Sequence, residues 1–167
     1  MNLFSDINVV LFDLDGTLLP IKQEIFLNYY LQALAKEFTD LAAPEEFTTQ
    51  LMAATEEMIR NQQPITNERV FKKEFFDRLE VSDREEVAAR FDRFYEEKFP
   101  ALEREFVFDQ HSGCKVVDLL ARENYSLVVA TNPVFPRPAV EARLKWINLT
   151  PERFELITSY EDTHYCK

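Results

Sequence analysis

Hydrophobic and polar positions along the chain change period twice. Val9-Val10-Leu11-Phe12 is an unbroken apolar run that opens on two β-branched residues, the pattern of a strand buried on both faces. From Ile21 to about Arg104 the apolar residues recur instead at helical spacing. Ile25, Tyr29, Leu31, Leu34, Ala35 and Phe38 mark a first helix. A second opens at Pro44, with Glu45 and Glu46 in its first turn, and carries Phe47, Leu51, Ala54, Met58 and Ile59. Thr66 is the expected N-cap of a third, which carries Val70, Phe71, Phe75, Phe76 and Leu79. Ser82-Asp83-Arg84-Glu85 reads as a capping box for a fourth, carrying Val87, Ala88, Phe91, Phe94 and Tyr95 and ending before Pro100. Four amphipathic helices with short links predict a small bundle over residues 21–104. Its many Phe residues are expected to be its core.

After the bundle the period shifts back. Ser112 is placed to cap a helix that begins at about Gly113 and ends at Arg122. Residues 127–130 form a second apolar run, ending in Thr131-Asn132-Pro133. Pro133, Pro136 and Pro138 stiffen the loop into a helix from about Ala139 to Ile147. Thr150-Pro151 starts one helical turn, and residues 154–158 are a third, shorter strand candidate. Strand, helix, strand, helix, strand predicts an α/β core with a parallel sheet and right-handed crossovers, made of residues 1–20 and 105–167. Ligands bind such sheets at the carboxyl ends of the strands. Asp13 and Thr131 follow the first two strands, so they are expected to meet in one crevice.

Composition narrows the partners. The formal charge of −11 over 167 residues argues against a grip on nucleic acid or on an anionic membrane. No run is long enough to span a bilayer, and the start of the chain has no signal-peptide pattern. Cys114 and Cys166 fit neither a disulfide framework nor a metal spacing, so a reduced cytoplasm is the expected compartment. His111 and His164 belong to no motif. Only two glycines occur, Gly16 and Gly113, which fits a helix-rich chain with short capped links.

The chemistry concentrates where the first strand ends. Residues two apart on a strand point the same way, so Asp13 and Asp15 leave it on one side. Gly16 then permits a sharp turn. Two such acids repel unless a cation or proton lies between them, and that points to a site. The string Phe12-Asp13-Leu14-Asp15-Gly16-Thr17-Leu18 resembles the first motif of the haloacid dehalogenase-like hydrolases, most of which are magnesium-dependent phosphatases. Val128-Val129-Ala130-Thr131 looks like the family's second motif, and Lys167 matches its third. The predicted bundle sits where one branch of the family inserts a helical cap.

The resemblance implies a Rossmann-like three-layer core, incomplete at the C-terminus, plus that inserted cap. It also implies hydrolysis of a small phosphorylated metabolite. Asp13 would be the nucleophile, forming an aspartyl-phosphate. Asp15 would be the general acid and then the general base. Thr131 and Asn132 would hold phosphate oxygens, and Lys167 would offset the charge on Asp13 and on the phosphate. Mg²⁺ would be held by the Asp13 carboxylate and the Asp15 main-chain oxygen. An acid at position 15 favours phosphate esters over the dehalogenase chemistry of other members. Leu19-Pro20 departs from the turn common in the family's phosphatases, and the mutase-like turn is absent too.

The family's fourth motif, which follows the third and completes the metal site, has no counterpart after Lys167. The expectation is therefore a truncated chain, impaired in metal binding and turnover, with a bare first-strand edge that invites self-association. Two other readings stand beside the phosphatase. One is a catalytically silent binding or regulatory module on the same fold, and the other is a phosphotransferase or mutase. The intact Asp13, Asp15 and Thr131 favour an enzyme.

Overall fold

A computed structural model describes residues 7–108 and 112–167. Three short strands, β1 (Val9–Phe12), β2 (Ser126–Val129) and β3 (Leu156–Ile157), make one parallel sheet in the order β1-β2-β3. The register aligns Leu11 with Val128 and Leu156, and Phe12 with Val129 and Ile157. These two rows face opposite ways. Phe12, Val129 and Ile157 enter the apolar core, where they join Val117, Val140 and Leu144. Leu11 is 63% exposed and Leu156 53%, with Val128 buried between them, so among the described residues the other face of the sheet is open at its two outer strands.

The expectation that the first strand is buried on both faces is thus corrected. The unbroken apolar run reports strand propensity, while burial depends on what covers each side. The three-layer core is corrected with it: among the described residues the sheet has one covered face and the core has two layers. The strand order gives the reason. Two right-handed crossovers that advance in the same direction lay both of their helices on one side of the sheet. Those helices are α5 (Ser112–Arg122) and α6 (Arg137–Trp146).

Between β1 and the sheet's second strand come the expected four helices. They are α1 (Gln23–Lys36), α2 (Pro44–Ile59), α3 (Asn67–Arg78) and α4 (Arg84–Arg93). Thr66 caps α3, its hydroxyl accepting from the Arg69 amide at 3.4 Å. The cap of α4 lies one residue later than the sequence suggests. Asp83, not Ser82, accepts from the Glu86 amide at 3.0 Å, because a carboxylate at the N-cap is as good an acceptor as a hydroxyl. Nor does the chain straighten before Pro100. A π turn (Phe94–Lys98) leads into a 3₁₀ stretch (Phe99–Glu105). Pro100 has no N–H to continue an α-helix, so the bonding pattern shifts on both sides of it.

With so few glycines, asparagines and one glutamate supply the left-handed turns: Glu80, Asn124 and Asn148 have φ of 49°, 62° and 59°. The two asparagines follow α5 and α6, a position that tolerates this conformation well in that residue type.

The bundle and the sheet share one continuous apolar core. Phe26 of α1 packs edge-on against Phe99 and Trp146, and tilted against Phe135 beyond β2, with centroids 5.7–6.3 Å apart. The Trp146 indole donates to the Pro100 carbonyl at 3.0 Å. The N-terminus of α3 is tied to the segment after β3. The Asn67 amide donates to the Thr163 carbonyl at 2.8 Å, and the Glu68 amide to the Tyr160 carbonyl at 2.9 Å. These bonds satisfy two of the donors that every helix start leaves open.

Candidate active site

The site begins where β1 stops. Leu14 and Leu19 are fully buried and anchor a tight loop between them. Within it the Leu19 amide donates to Leu14 and the Gly16 amide to Leu19, both at 2.8 Å. Gly16 has φ of +80°, a conformation that side chains disfavour, so the turn that presents Asp15 needs glycine. The parallel ladder runs one step past β2, with the Ala130 amide donating to the Phe12 carbonyl at 2.7 Å. That step sets Thr131 beside Asp13.

Asp13, Asp15, Thr131 and Asn132 line one cavity of about 210 Å³, closed by Gln23, Phe26, Leu27, Val134 and Phe135. Lys167 arrives from the far end of the chain. Its ammonium donates to Asp13 Oδ1 at 2.9 Å, and its main-chain amide to the Asn132 side-chain oxygen at 3.0 Å. All five residues singled out in the sequence therefore come together. Thr131 is buried, and its carbonyl accepts from the Thr158 hydroxyl at 2.9 Å, which ties the end of β2 to the end of β3.

A sixth residue belongs with them. Arg143 of α6 has no solvent exposure and donates through Nη1 to Asp15 Oδ2 at 2.6 Å. Its Nε donates to the Ala139 carbonyl at 3.2 Å. Its guanidinium lies over the Phe135 ring at 4.4 Å and the Phe26 ring at 5.4 Å, an arrangement that partly replaces lost hydration. Arg143 Nη2 and Asp15 Oδ1 are both buried without a partner. The sequence signal for this residue was its place one turn after Ala139 and three after Val140, on the stripe that α6 buries.

Each acid thus meets one cation, a surface lysine on Asp13 and a buried arginine on Asp15. Glu161 is engaged elsewhere, its carboxylate accepting from the Arg137 amide at the start of α6 at 3.0 Å. His164 is exposed beside Tyr165, and His111 lies outside the described residues. Among the described residues no three or more His, Cys, Asp or Glu side chains cluster as a metal site.

Next to the acids lie buried phenols. The Tyr30 and Tyr95 hydroxyls share a hydrogen bond of 2.6 Å. Burial pushes Tyr30 up to about 12 and pushes Tyr95 and Tyr160 up as well, so all three stay neutral at ordinary pH.

Comparison of the chain with family models, with characterised proteins and with solved structures finds no match.

Proposed function

We propose that the chain is a Mg²⁺-dependent phosphomonoesterase of the haloacid dehalogenase type, with α1–α4 as its cap. The observation that carries this reading is the Lys167–Asp13 pair at 2.9 Å, closed across 154 positions of sequence and set on the cavity that Thr131 and Asn132 line. A nucleophilic carboxylate, a hydroxyl, an amide and an ammonium around one space are the groups an in-line attack on a phosphate ester uses.

In this reading an Asp13 oxygen attacks phosphorus and the ester P–O bond breaks. Asp15 gives its proton to the leaving alkoxide. Water then attacks the aspartyl-phosphate, Asp15 takes up the water's proton, and phosphate leaves with Asp13 restored. Arg143 holds Asp15 Oδ2 and so fixes the orientation of its carboxyl group. Lys167 offsets the charge that Asp13 and the phosphate bring together.

Asp13 carboxylate and Asp15 main-chain oxygens are hard donors of the type Mg²⁺ takes, and that ion commonly keeps waters and substrate oxygens in its remaining positions. When bound it neutralises charge on the phosphate. Two protein oxygens make a weak site, so millimolar Mg²⁺ is the concentration range for assays.

The test is trapping of the intermediate. The chain is incubated with a phosphomonoester and Mg²⁺, quenched in acid and digested. One added phosphoryl group on the Asp13 peptide supports the reading. Hydrolysis that proceeds unchanged in Asp13→Asn refutes it. The short Arg143–Asp15 bond favours one second reading, a module that binds phosphate esters without cleaving them. Binding without turnover at any Mg²⁺ concentration would select it.

A further inference from the structure

The acid-lined cavity does not stand alone. A second space of about 160 Å³ adjoins it on the side of the helical bundle, and the two share Gln23, Leu27, Asn132, Val134 and Phe135 as common walls. Helical spacing builds this chamber. α1 contributes Gln23, Leu27 and Tyr30 from successive turns, and α2 contributes Leu51 and Thr55, four apart, with Met52 beside them. Phe71 and Phe91 add an edge-to-face pair with centroids 6.2 Å apart. Tyr30, Tyr95 and Tyr160 complete the walls with neutral phenols.

We propose that this chamber receives the alcohol half of the substrate, and that the substrate class is the phosphate monoester of a compact, uncharged aromatic or branched-alkyl alcohol. The inference rests on the phosphomonoesterase reading for the phosphate end alone. Three features define the other end. Size comes first: a cavity of ~150 Å³ lined by aliphatic and aromatic side chains holds one benzene, so 160 Å³ matches a single ring or a chain of similar bulk. Charge comes second. No Asp, Glu, Lys, Arg or His is among the lining residues described, so a second phosphate, a carboxylate or an ammonium would be stripped of water with no counter-charge to meet it. Third is the division of labour along the path. Gln23 and Asn132 line both spaces and so stand between the acids and the apolar side chains that only the second space has. Met52 and Ile59 line the chamber and are also 42% and 43% exposed, which places them on its solvent side.

The test compares benzyl phosphate with ribose 5-phosphate and glycerol 3-phosphate at one Mg²⁺ concentration, and measures binding of benzyl alcohol by ligand-observed NMR. One methylene in an apolar pocket discriminates by roughly 10–200-fold, so a ring against a polyol predicts at least a tenfold preference in kcat/KM for benzyl phosphate. Benzyl alcohol alone is expected to bind the native chain, and Thr55→Phe, which puts a ring into the chamber, is expected to remove both the binding and the preference. Turnover of all three esters without preference, or preference for a sugar phosphate, overturns the chamber and leaves the phosphatase reading standing. No turnover of any ester, with benzyl alcohol still bound, supports the chamber and removes the phosphatase reading. Failure of benzyl alcohol to bind the native chain overturns the proposal whatever the variant does.

Discussion

Arg143 holds Asp15 from inside the protein: the bond is 2.6 Å long and the arginine side chain has no contact with solvent. Asp13 is held from outside, by a lysine that is itself more than half exposed. Two acids two residues apart are therefore built into the molecule in different ways, and removing them has different costs.

Asp15→Ala leaves a fully buried guanidinium without its counter-charge. It is expected to lower stability to urea by about 2–4 kcal/mol, towards the lower end for a broken buried pair because Asp15 is partly exposed. Adding Arg143→Met removes the stranded charge while keeping most of the side-chain volume. The double variant is expected to be more stable than Asp15→Ala alone, and additive losses in the cycle would contradict the pairing.

Asp13→Asn is expected to leave stability within about 1 kcal/mol of the native chain, because an exposed ion pair contributes little. Phosphatase turnover should fall by about a thousandfold or more, as expected when a nucleophile is lost. Urea unfolding and steady-state kinetics on one preparation check both halves.

Alkali should weaken the protein through its buried phenols. Below pH 10 the folded and unfolded chains both keep the Tyr30 proton, and stability does not depend on it. Between pH 10 and about 12 the unfolded chain releases that proton while the folded chain retains it, so stability falls as pH rises. Tyr30 alone accounts for a loss of about 2–3 kcal/mol by pH 12, and Tyr95 shifts in the same direction. Urea titrations across this range should show a smaller loss in the double variant Tyr30→Phe/Tyr95→Phe. Either single change strands one buried hydroxyl and should cost more than half of what the double does.

The open sheet face makes association the expected behaviour at high concentration. Val9 and Leu11 project from β1 at 45% and 63% exposure, on an edge strand with no described neighbour on its outer side. Light scattering should show a mass that rises with concentration, and Leu11→Lys should suppress the rise. A constant monomer mass for the native chain would end this proposal.

Much of this was legible in the sequence because local rules decided it. Proline at the start of α2, threonine before α3 and the aspartates after β1 act over a few residues, and each lies where spacing places it. Lys167 was legible only through the family resemblance, since nothing local marks a terminal lysine as a site residue. Arg143 was missed because an arginine within an amphipathic helix ordinarily faces water, and only its phase on the stripe of Ala139, Val140 and Leu144 tells otherwise. The open face of β1 was misread because hydrophobic runs describe a strand and say nothing of its neighbours. The capping box slipped by one residue because Ser82 and Asp83 are both competent acceptors.

The bundle and the sheet are joined by the Phe26, Phe99, Phe135 and Trp146 rings and by main-chain bonds from the start of α3 to residues 160 and 163. Neither part can lose its packing without baring the apolar side of the other. Although the helices read as a separate insert in the chain, heat should melt them and the sheet together, as one cooperative transition in a calorimeter whose van't Hoff and measured enthalpies agree.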